Sequence, residues 1–329
     1  MISTSDRIED TVRSLQQDSC FGYISGIAIT DADAVGKTVL DIPVVAGPGT
    51  LIRYLTRAWV DEVFLFVPSE IPEYDRLLSS VISMGITVHL PADGRAVSQN
   101  MKTRRVGDTL VQTISFHSID PFGACVKRLA DIAGGMIGSV MALILIGIVA
   151  VPLKRQSPGP VIYRSERVGL NGRRFRMYKI RTMCPDADRQ KSELMRDNMV
   201  KDGLMFRVPW DPRIIGNKTL EDGTRRTGIG AFLRNHFIDE FPQFFNVLKG
   251  EMSLVGTRPP TVDEWEKYEP HHRARMSVKP GLTGMWQVYG RTDVLDFEQV
   301  VRLDTEYIRN WSPGLDAGLL MKTVRILLK

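Results

Sequence analysis

The sequence predicts an α/β protein in two parts, with a membrane helix between them. Three observations carry this. Strand-like apolar runs alternate with helix-like stretches over the first ninety residues. A run of 22 residues without a charge follows, from Ile132 to Leu153. Beyond it stand a strand hairpin, short helices and a basic, amphipathic C-terminus, a mixed α+β part with interfacial helices. The expected boundaries are 1–115 for an α/β regulatory or packing domain, 116–128 for a polar connector, 129–155 for the membrane helix and 156–329 for the second domain.

In the first part the strand-like runs are GYISGIAIT, PVVAG, EVFLFVP and TVHLP, with GTLIRYLTRAWV and EYDRLLSSVISMG as helices between them. Such alternation predicts a small parallel sheet. The glycine loop Gly47-Pro48-Gly49 has Ile52 where a dinucleotide fingerprint needs its third glycine, which argues against nucleotide binding there. Three separated cysteines, Cys20, Cys125 and Cys184, give neither a disulfide framework nor a zinc spacing and fit a reducing location. No secretory signal opens the chain, because Met1 to Gln17 is polar and charged.

The net charge of +5 conceals an asymmetry: residues 1–115 carry −4 and residues 116–329 carry +9. The second part therefore has reason to meet anions. Its basic residues adjoin a membrane run rather than an aromatic platform, which disfavours nucleic acid as a partner.

As a helix, Ile132 to Leu153 reaches about 33 Å, enough to cross a bilayer core. Lys127 and Arg128 precede it and Lys154 and Arg155 follow it. A spanning helix gathers its positive charge mainly on one side. Basic residues at both ends favour a re-entrant segment, with Gly134, Gly135, Gly138 and Gly147 easing a bend.

Next, SPGPVIYRSERVGLNGRRFRMYKIRTM predicts a hairpin about a two-residue turn, Asn171-Gly172. Phe175, Met177, Lys179 and Arg181 share one face of its second strand. Apolar neighbours beside Lys179 and Arg181 imply that these two charges meet something specific, whereas the other basic residues suit lipid headgroups. Residues 183–226 form a polar excursion with a helix in DADRQKSELMRDNM. At the end, Leu315, Leu319, Leu320, Val324 and Leu327 recur at helical intervals among Lys322, Arg325 and Lys329, which suits an interfacial helix or core packing.

The acidic pair Asp239-Glu240 stands in NHFIDEFPQFFNVLKGEMSLVGTRPP. Pro242 is tolerated only in a first helical turn, so a helix is expected from about Asp239 to Leu248, stopped by Gly250, with Phe241, Phe244, Phe245 and Leu248 as its buried stripe. At the positive end of the helix dipole both acids would favour ionisation. Such a carboxylate could cap the helix, bind a divalent metal or attack an electrophile. Arg258, between a glycine turn and two prolines, presents a guanidinium suited to phosphate. Lys179, Arg181 and Arg258 around a carboxylate describe a diphosphate site, where Mg²⁺ would let an anionic nucleophile approach an anionic substrate. His271-His272 with Glu269 reads as a solvated pair whose side chains diverge, not as a metal site.

At these residues the chain resembles the bacterial sugar transferase family, the monotopic polyprenyl-phosphate phosphoglycosyl transferases. The basic-flanked helix, SPGPVIYRSERVGLNGRRFRMYKIRTM, IDEFPQFFNVLKGEMSLVGTRPP, KPGLTGMWQVYGR and LDTEYIRNWS stand in the family's order from about Phe122 onward. The first domain is similar to the Rossmann-like module of larger members, in which several transmembrane helices come before it; none stands here, as expected of a short or truncated form. The resemblance implies transfer of a hexose 1-phosphate, of galactose or glucose, from a UDP-sugar to undecaprenyl phosphate at the cytoplasmic face of the bacterial inner membrane. UMP would leave, and the product would prime capsule, exopolysaccharide or O-antigen synthesis. By the family pattern Asp239 is the covalent nucleophile and Glu240 its partner acid, holding Mg²⁺. Lys179, Arg181, Arg258 and Pro259 match the phosphate-binding positions, and Arg291 a substrate-binding one. Membrane lipids are implied as partners, and a homodimer is compatible with the pattern. Two departures stand out: Phe237-Ile238 replaces the usual Ser-Leu, and the helix lacks the mid-helix Ser-Pro of many members.

Two other readings remain open on the residues. A lipid-linked glycosyltransferase would release UDP, and a membrane-tethered scaffold would use Asp239 only as a cap.

Overall fold

A computed structural model of the chain describes residues 1–16, 23–71, 73–92, 102–106, 109–116, 120–194, 208–290 and 296–327. They form two units, Met1–Ser118 with Tyr268–Ser277, and Ile119–Lys267 with Val278–Lys329.

In the first unit, β1 (Ile2–Ser3), β2 (Ile27–Ile29), β3 (Thr38–Val39), β4 (Ile42–Ala46), β5 (Glu62–Phe66), β6 (Thr87–Pro91), β7 (Lys102–Val106) and β8 (Thr109–Ile114) make one sheet. Its order is β3-β4-β2-β1-β5-β6-β8-β7. The five central strands are parallel and the edges antiparallel. With β1 central and the chain winding outward in both directions, this is the doubly wound order expected of a parallel α/β sheet. Helices α1 (Ile8–Gln16), α2 (Leu51–Arg57) and α3 (Tyr74–Ser83) cover it. Ile2, Leu65, Val81, Met84 and Val88 build the main core.

The four strand runs and two helices fall where the sequence places them. Lys102–Val106 and Thr109–Ile114, which lie beyond those runs, pair with each other as β7 and β8, because pairing to β8, itself paired to β6, outweighs the charged look of Lys102–Val106. The glycine loop at Gly47 follows β4, an outer strand of the parallel set, not the central β1.

The unit also takes in Tyr268–Ser277, so the domain boundary is not continuous in sequence. Arg273 is fully buried and donates to the carbonyls of Val60 (3.0 Å) and Met84 (3.4 Å). Burial lowers its pKa to about 10. His272 is buried too; its Nδ1 accepts from the Glu269 N–H, and its ring lies 4.1 Å from that of His271. These histidines are therefore neither a solvated pair nor divergent, because a tight 3-10 stretch brings the rings together.

The second unit is organised by α4 (Pro121–Gln156), capped by the Asp120 carboxylate on the Gly123 N–H. It starts eight residues before the expected 129, so most of the connector is helix as well. It is one unbroken helix of 36 residues, about 54 Å long. Only 28 % of its most apolar stretch is buried, unlike the mostly buried core helix of a soluble protein. The glycines do not serve a bend. A Cβ at Gly138 would lie 2.2 Å from Phe244, one at Gly135 3.0 Å from Leu248 and one at Gly134 2.7 Å from Leu254. These positions let the unit's other elements reach the helix backbone.

That packing continues along α4. Near its start, Lys127 donates to the Val255 carbonyl and Asp316, and Arg128 donates to the carbonyls of Val247 and Leu248. Asp131 accepts from Ser253 Oγ and the Leu254 N–H, both at 2.8 Å. Near its end, Val149 and Leu153 join Ile180, Ile215 and Leu233 in a core cluster. The other side leaves Ile137, Val140, Ile144, Ile148 and Val151 exposed.

After α4 come β9 (Ile162–Val168) and β10 (Arg174–Ile180), an antiparallel pair. The connection is a five-residue loop, Gly169–Arg173, rather than a two-residue turn: a 3-10 turn at Leu170–Gly172 puts Asn171 and Gly172 at positive φ. The excursion contains α5 (Ala187–Leu194) and a small hairpin, β11 (Lys218–Thr219) with β12 (Arg225–Arg226). Then follow α6 (Ile229–Asn235), a 3-10 turn (Ile238–Gln243), α7 (Phe244–Lys249), β13 (Ser253–Val255), α8 (Val262–Trp265), β14 (Gly281–Thr283), α9 (Met285–Tyr289), α10 (Phe297–Arg309) and α11 (Pro313–Leu327).

Candidate active site

The acidic pair sits on the 3-10 turn between α6 and α7. Phe237 enters it in the left-handed region (φ 56°, ψ 17°), a conformation that is strained for a bulky side chain and clusters at functional sites. Pro242 follows, and α7 ends at Gly250 (φ 82°) as its sequence requires. The helix is thus split in two, since Pro242 cannot donate within a continuous α ladder. The inward side is Pro242, Gln243, Asn246 and Val247. Phe241, Phe244, Phe245 and Leu248 are only half-buried. Phe244 and Leu248 instead meet the glycines of α4, and Phe241 lines a cavity.

Neither half of the helix is capped by Asp239: the cap positions are Phe237 and Gln243, and neither makes a side-chain cap bond. Asp239 is 7 % exposed. Burial pushes its pKa up to about 6; the charges of Lys179 and Arg234 oppose this, and Glu240 adds to it. Loss of hydration therefore outweighs the helix dipole, opposite to the sequence expectation. Glu240 differs from its neighbour. Its side chain is 40 % exposed and pairs with Lys179 Nζ at 2.9 Å. The two acids thus occupy separate environments.

Lys179 reaches Glu240 because Asn246 ties β10 to α7. Asn246 is fully buried. Its Oδ1 accepts from the Tyr178 N–H (3.1 Å), while its Nδ2 donates to the Arg176 carbonyl and to Glu251. Nothing in the sequence singled out this residue.

Arg181 serves elsewhere. Its guanidinium is buried and donates to the Pro160 carbonyl (2.7 Å), to Ser157 Oγ (2.8 Å) and to the Ser157 carbonyl. It fastens the hairpin to the residues that follow α4, so the structure does not bring it to the carboxylates as a phosphate ligand.

Arg258 pairs with Glu264 at 3.4 Å. Glu264 also closes a capping box with Thr261 at the start of α8. Arg167 donates to the Pro259 carbonyl (3.2 Å), and the Pro260 carbonyl accepts from the Val168 N–H. The Arg-Pro-Pro segment is thereby pinned to β9. Burial and the neighbouring Arg258 lower the Arg167 pKa to about 10, which leaves it charged at neutral pH. Arg167 therefore belongs beside the site, not among lipid-facing basics. Arg234 is a second missed residue: its charge acts on Asp239 from five positions upstream, a spacing that could have suggested it. Arg291 lies outside the described residues.

Glu240 and Arg258 also line a cavity of about 430 Å³ whose remaining walls are mostly apolar. Glu240 offers hard carboxylate oxygens, partly open to solvent, of the kind that can hold a divalent cation.

Comparison with known proteins agrees with the geometry. The family described as bacterial sugar transferase matches residues 122–329. The galactosyl transferase CpsE of Streptococcus agalactiae serotype III is 39 % identical over 292 residues, 84 % of this chain and 60 % of that protein. The undecaprenyl-phosphate galactose phosphotransferase of Salmonella typhimurium is 37 % identical over 197 residues, 58 % of this chain and 39 % of that protein. The UDP-glucose:undecaprenyl-phosphate glucose-1-phosphate transferase of Xanthomonas campestris pv. campestris is 31 % identical over 306 residues, 89 % of this chain and 58 % of that protein. The chain thus spans no more than 60 % of the length of these three relatives.

Proposed function

Because the chain belongs to the bacterial sugar transferase family, we propose that it moves a hexose 1-phosphate from a UDP-sugar to polyprenyl phosphate at a membrane surface. The galactose and glucose transferases among its relatives support a hexose donor and undecaprenyl phosphate as acceptor. The product would open capsule, exopolysaccharide or O-antigen assembly.

One observation carries the chemistry. A carboxylate that caps nothing is buried on a strained turn, with cationic Lys179 and Arg234 acting on it. In the proposed reaction an Asp239 oxygen attacks the sugar-bearing phosphorus. The bond to the UMP oxygen breaks, UMP leaves with the electron pair, and a phosphosugar ester remains on the enzyme. An oxygen of polyprenyl phosphate then attacks the same phosphorus and frees the carboxylate. Lys179 orients Glu240, and Arg258 and Arg167 stabilise phosphate charge. Glu240 would hold Mg²⁺, which when bound offsets the negative charge between nucleophile and substrate.

The helix supports the location. Both ends of α4 pack on one globular unit, and its free side is apolar. A helix held this way embeds in one face of a bilayer with its two ends on the same side. The inner membrane's cytoplasmic face supplies both substrates.

The test is direct. The protein is mixed with UDP-galactose or UDP-glucose and undecaprenyl phosphate, and the released nucleotide and the Asp239 peptide are read by mass spectrometry. UMP with a hexose-phosphate adduct is expected. UDP release, or full turnover with no adduct under rapid quench, would overturn the reading.

A further inference from the structure

The cavity beside the acidic pair differs from a site for a nucleotide sugar. Its walls are Phe241 and Phe244 on one side, Trp286 on α9 on another, and Leu320, Val324 and Leu327 on α11. Among the described residues, Glu240 and Arg258 are its charged lining. Its size falls within the roughly 300–1,000 Å³ of small-molecule sites. A nucleotide sugar is polar over its whole length and would leave most of its hydrogen bonds unmet against such walls.

Two polar atoms break the apolar lining. Trp286 and Gln287 stand in this lining, and Trp286 Nε1 and Gln287 Oε1 are buried with no hydrogen-bond partner among the described residues. An unpaired buried donor or acceptor carries a desolvation penalty unless a ligand satisfies it. Thr323 Oγ1 and Thr283 Oγ1, 2.7 Å apart, tie α11 to β14 and fix the cavity's far wall. Of the α11 residues in this lining, Val324, Ile326 and Leu327 are themselves exposed, as is Met321 beside them. A chain too long for the cavity would leave it onto an apolar surface.

We propose that this cavity is the acceptor site, seating the first isoprene units of a polyprenyl phosphate against α11, with the Trp286 indole N–H among its polar contacts. The ligand class follows from the gradient: one anionic end to meet Arg258, and an apolar tail for everything else. The inference rests on the transfer reaction proposed above and specifies where its second substrate sits.

Farnesyl phosphate is the probe, and binding is measured by equilibrium dialysis of the full chain in detergent micelles, with UDP-galactose binding measured in parallel. Val324 is exposed on α11, so Val324→Trp fills the cavity at little expense to the fold. Trp286→Phe keeps the ring shape and removes the N–H. Farnesyl phosphate affinity should fall at least tenfold in Val324→Trp and about threefold in Trp286→Phe, with UDP-galactose affinity changed less than twofold. The reverse pattern would assign the cavity to the donor and overturn the proposal. Unchanged farnesyl phosphate binding in both variants would overturn it too, whether or not they change oligomeric state. Should both ligands be lost in Val324→Trp, the conservative Trp286→Phe decides. The two readings fail separately. Product formation with binding indifferent to both substitutions sinks the site and spares the reaction. Selective binding as stated without any lipid-linked product sinks the reaction and spares the site.

Discussion

The long helix and the acidic turn pack against each other and break opposite rules. On α4, large apolar side chains such as Ile137 and Ile144 face outward, where water penalises them. On the turn, the carboxylate of Asp239 faces inward, where loss of water penalises it. Neither arrangement is one that packing alone would choose. What the pair teaches is that a departure from ordinary burial gains meaning from its sign. Exposed apolar surface asks for a lipid, and a buried acid asks for a substrate.

Substitutions can separate the two. The largest effect is expected at the turn. Asp239→Asn should lower turnover by about a thousandfold or more, as loss of a covalent nucleophile does. Its effect on stability should run the other way. Because the folded-state pKa of Asp239 is raised to about 6, the native state holds a proton more tightly than the unfolded chain. Stability from that proton is present at low pH and is lost as pH rises through about 6. At pH 8 the ionised, buried group costs on the order of 2–3 kcal/mol. Asp239→Asn should therefore unfold at or above the wild-type midpoint at pH 8, and the gap should shrink between pH 6 and pH 4. A lower midpoint at pH 8 would return Asp239 to a structural role.

On the helix, Ile137→Asp with Ile144→Asp should reduce partition into anionic vesicles by more than tenfold in flotation assays, since each charge costs about 2.5–3.5 kcal/mol at membrane depth. Unchanged flotation would leave the exposed side without a lipid. Where the two regions meet, Gly138→Ala should lower stability by about 1–3 kcal/mol, because its methyl would fall 2.2 Å from Phe244. Denaturant melts check this. The rate should fall about tenfold per pH unit below about 6, as the nucleophile protonates; a profile flat down to pH 4 would break that link. Smallest is Gly147→Ala. Among the described residues nothing lies within 4 Å of that position, so a gain of up to about 1 kcal/mol from helix propensity is expected.

Much of this was legible in sequence for local reasons. Apolar runs at Ile42–Ala46 and Glu62–Phe66 announced strands, and Pro242 with Gly250 bounded the site helix within a few residues. What escaped depends on distant partners. Lys102–Val106 reads as polar, and only its neighbour strand makes it a strand. Lys179 and Arg181 look alike in the chain, yet one meets Glu240, 61 residues on, and the other grips Ser157, 24 residues back. The glycines of α4 suggested a bend because a sequence shows what a residue lacks, not what fills the space. Asn246 and Arg167 showed no local signal at all.

The segment Tyr268–Ser277 has a consequence for how the chain comes into being. Arg273 fills the interior of a unit whose other residues end at Ser118, so that unit cannot be finished when its own strands leave the ribosome. At roughly 5–20 residues per second, the missing piece arrives about ten to thirty seconds later. During that interval the long apolar helix α4 has already emerged. The unit synthesised earlier is thus completed only by a later segment, and birth order and folding order diverge.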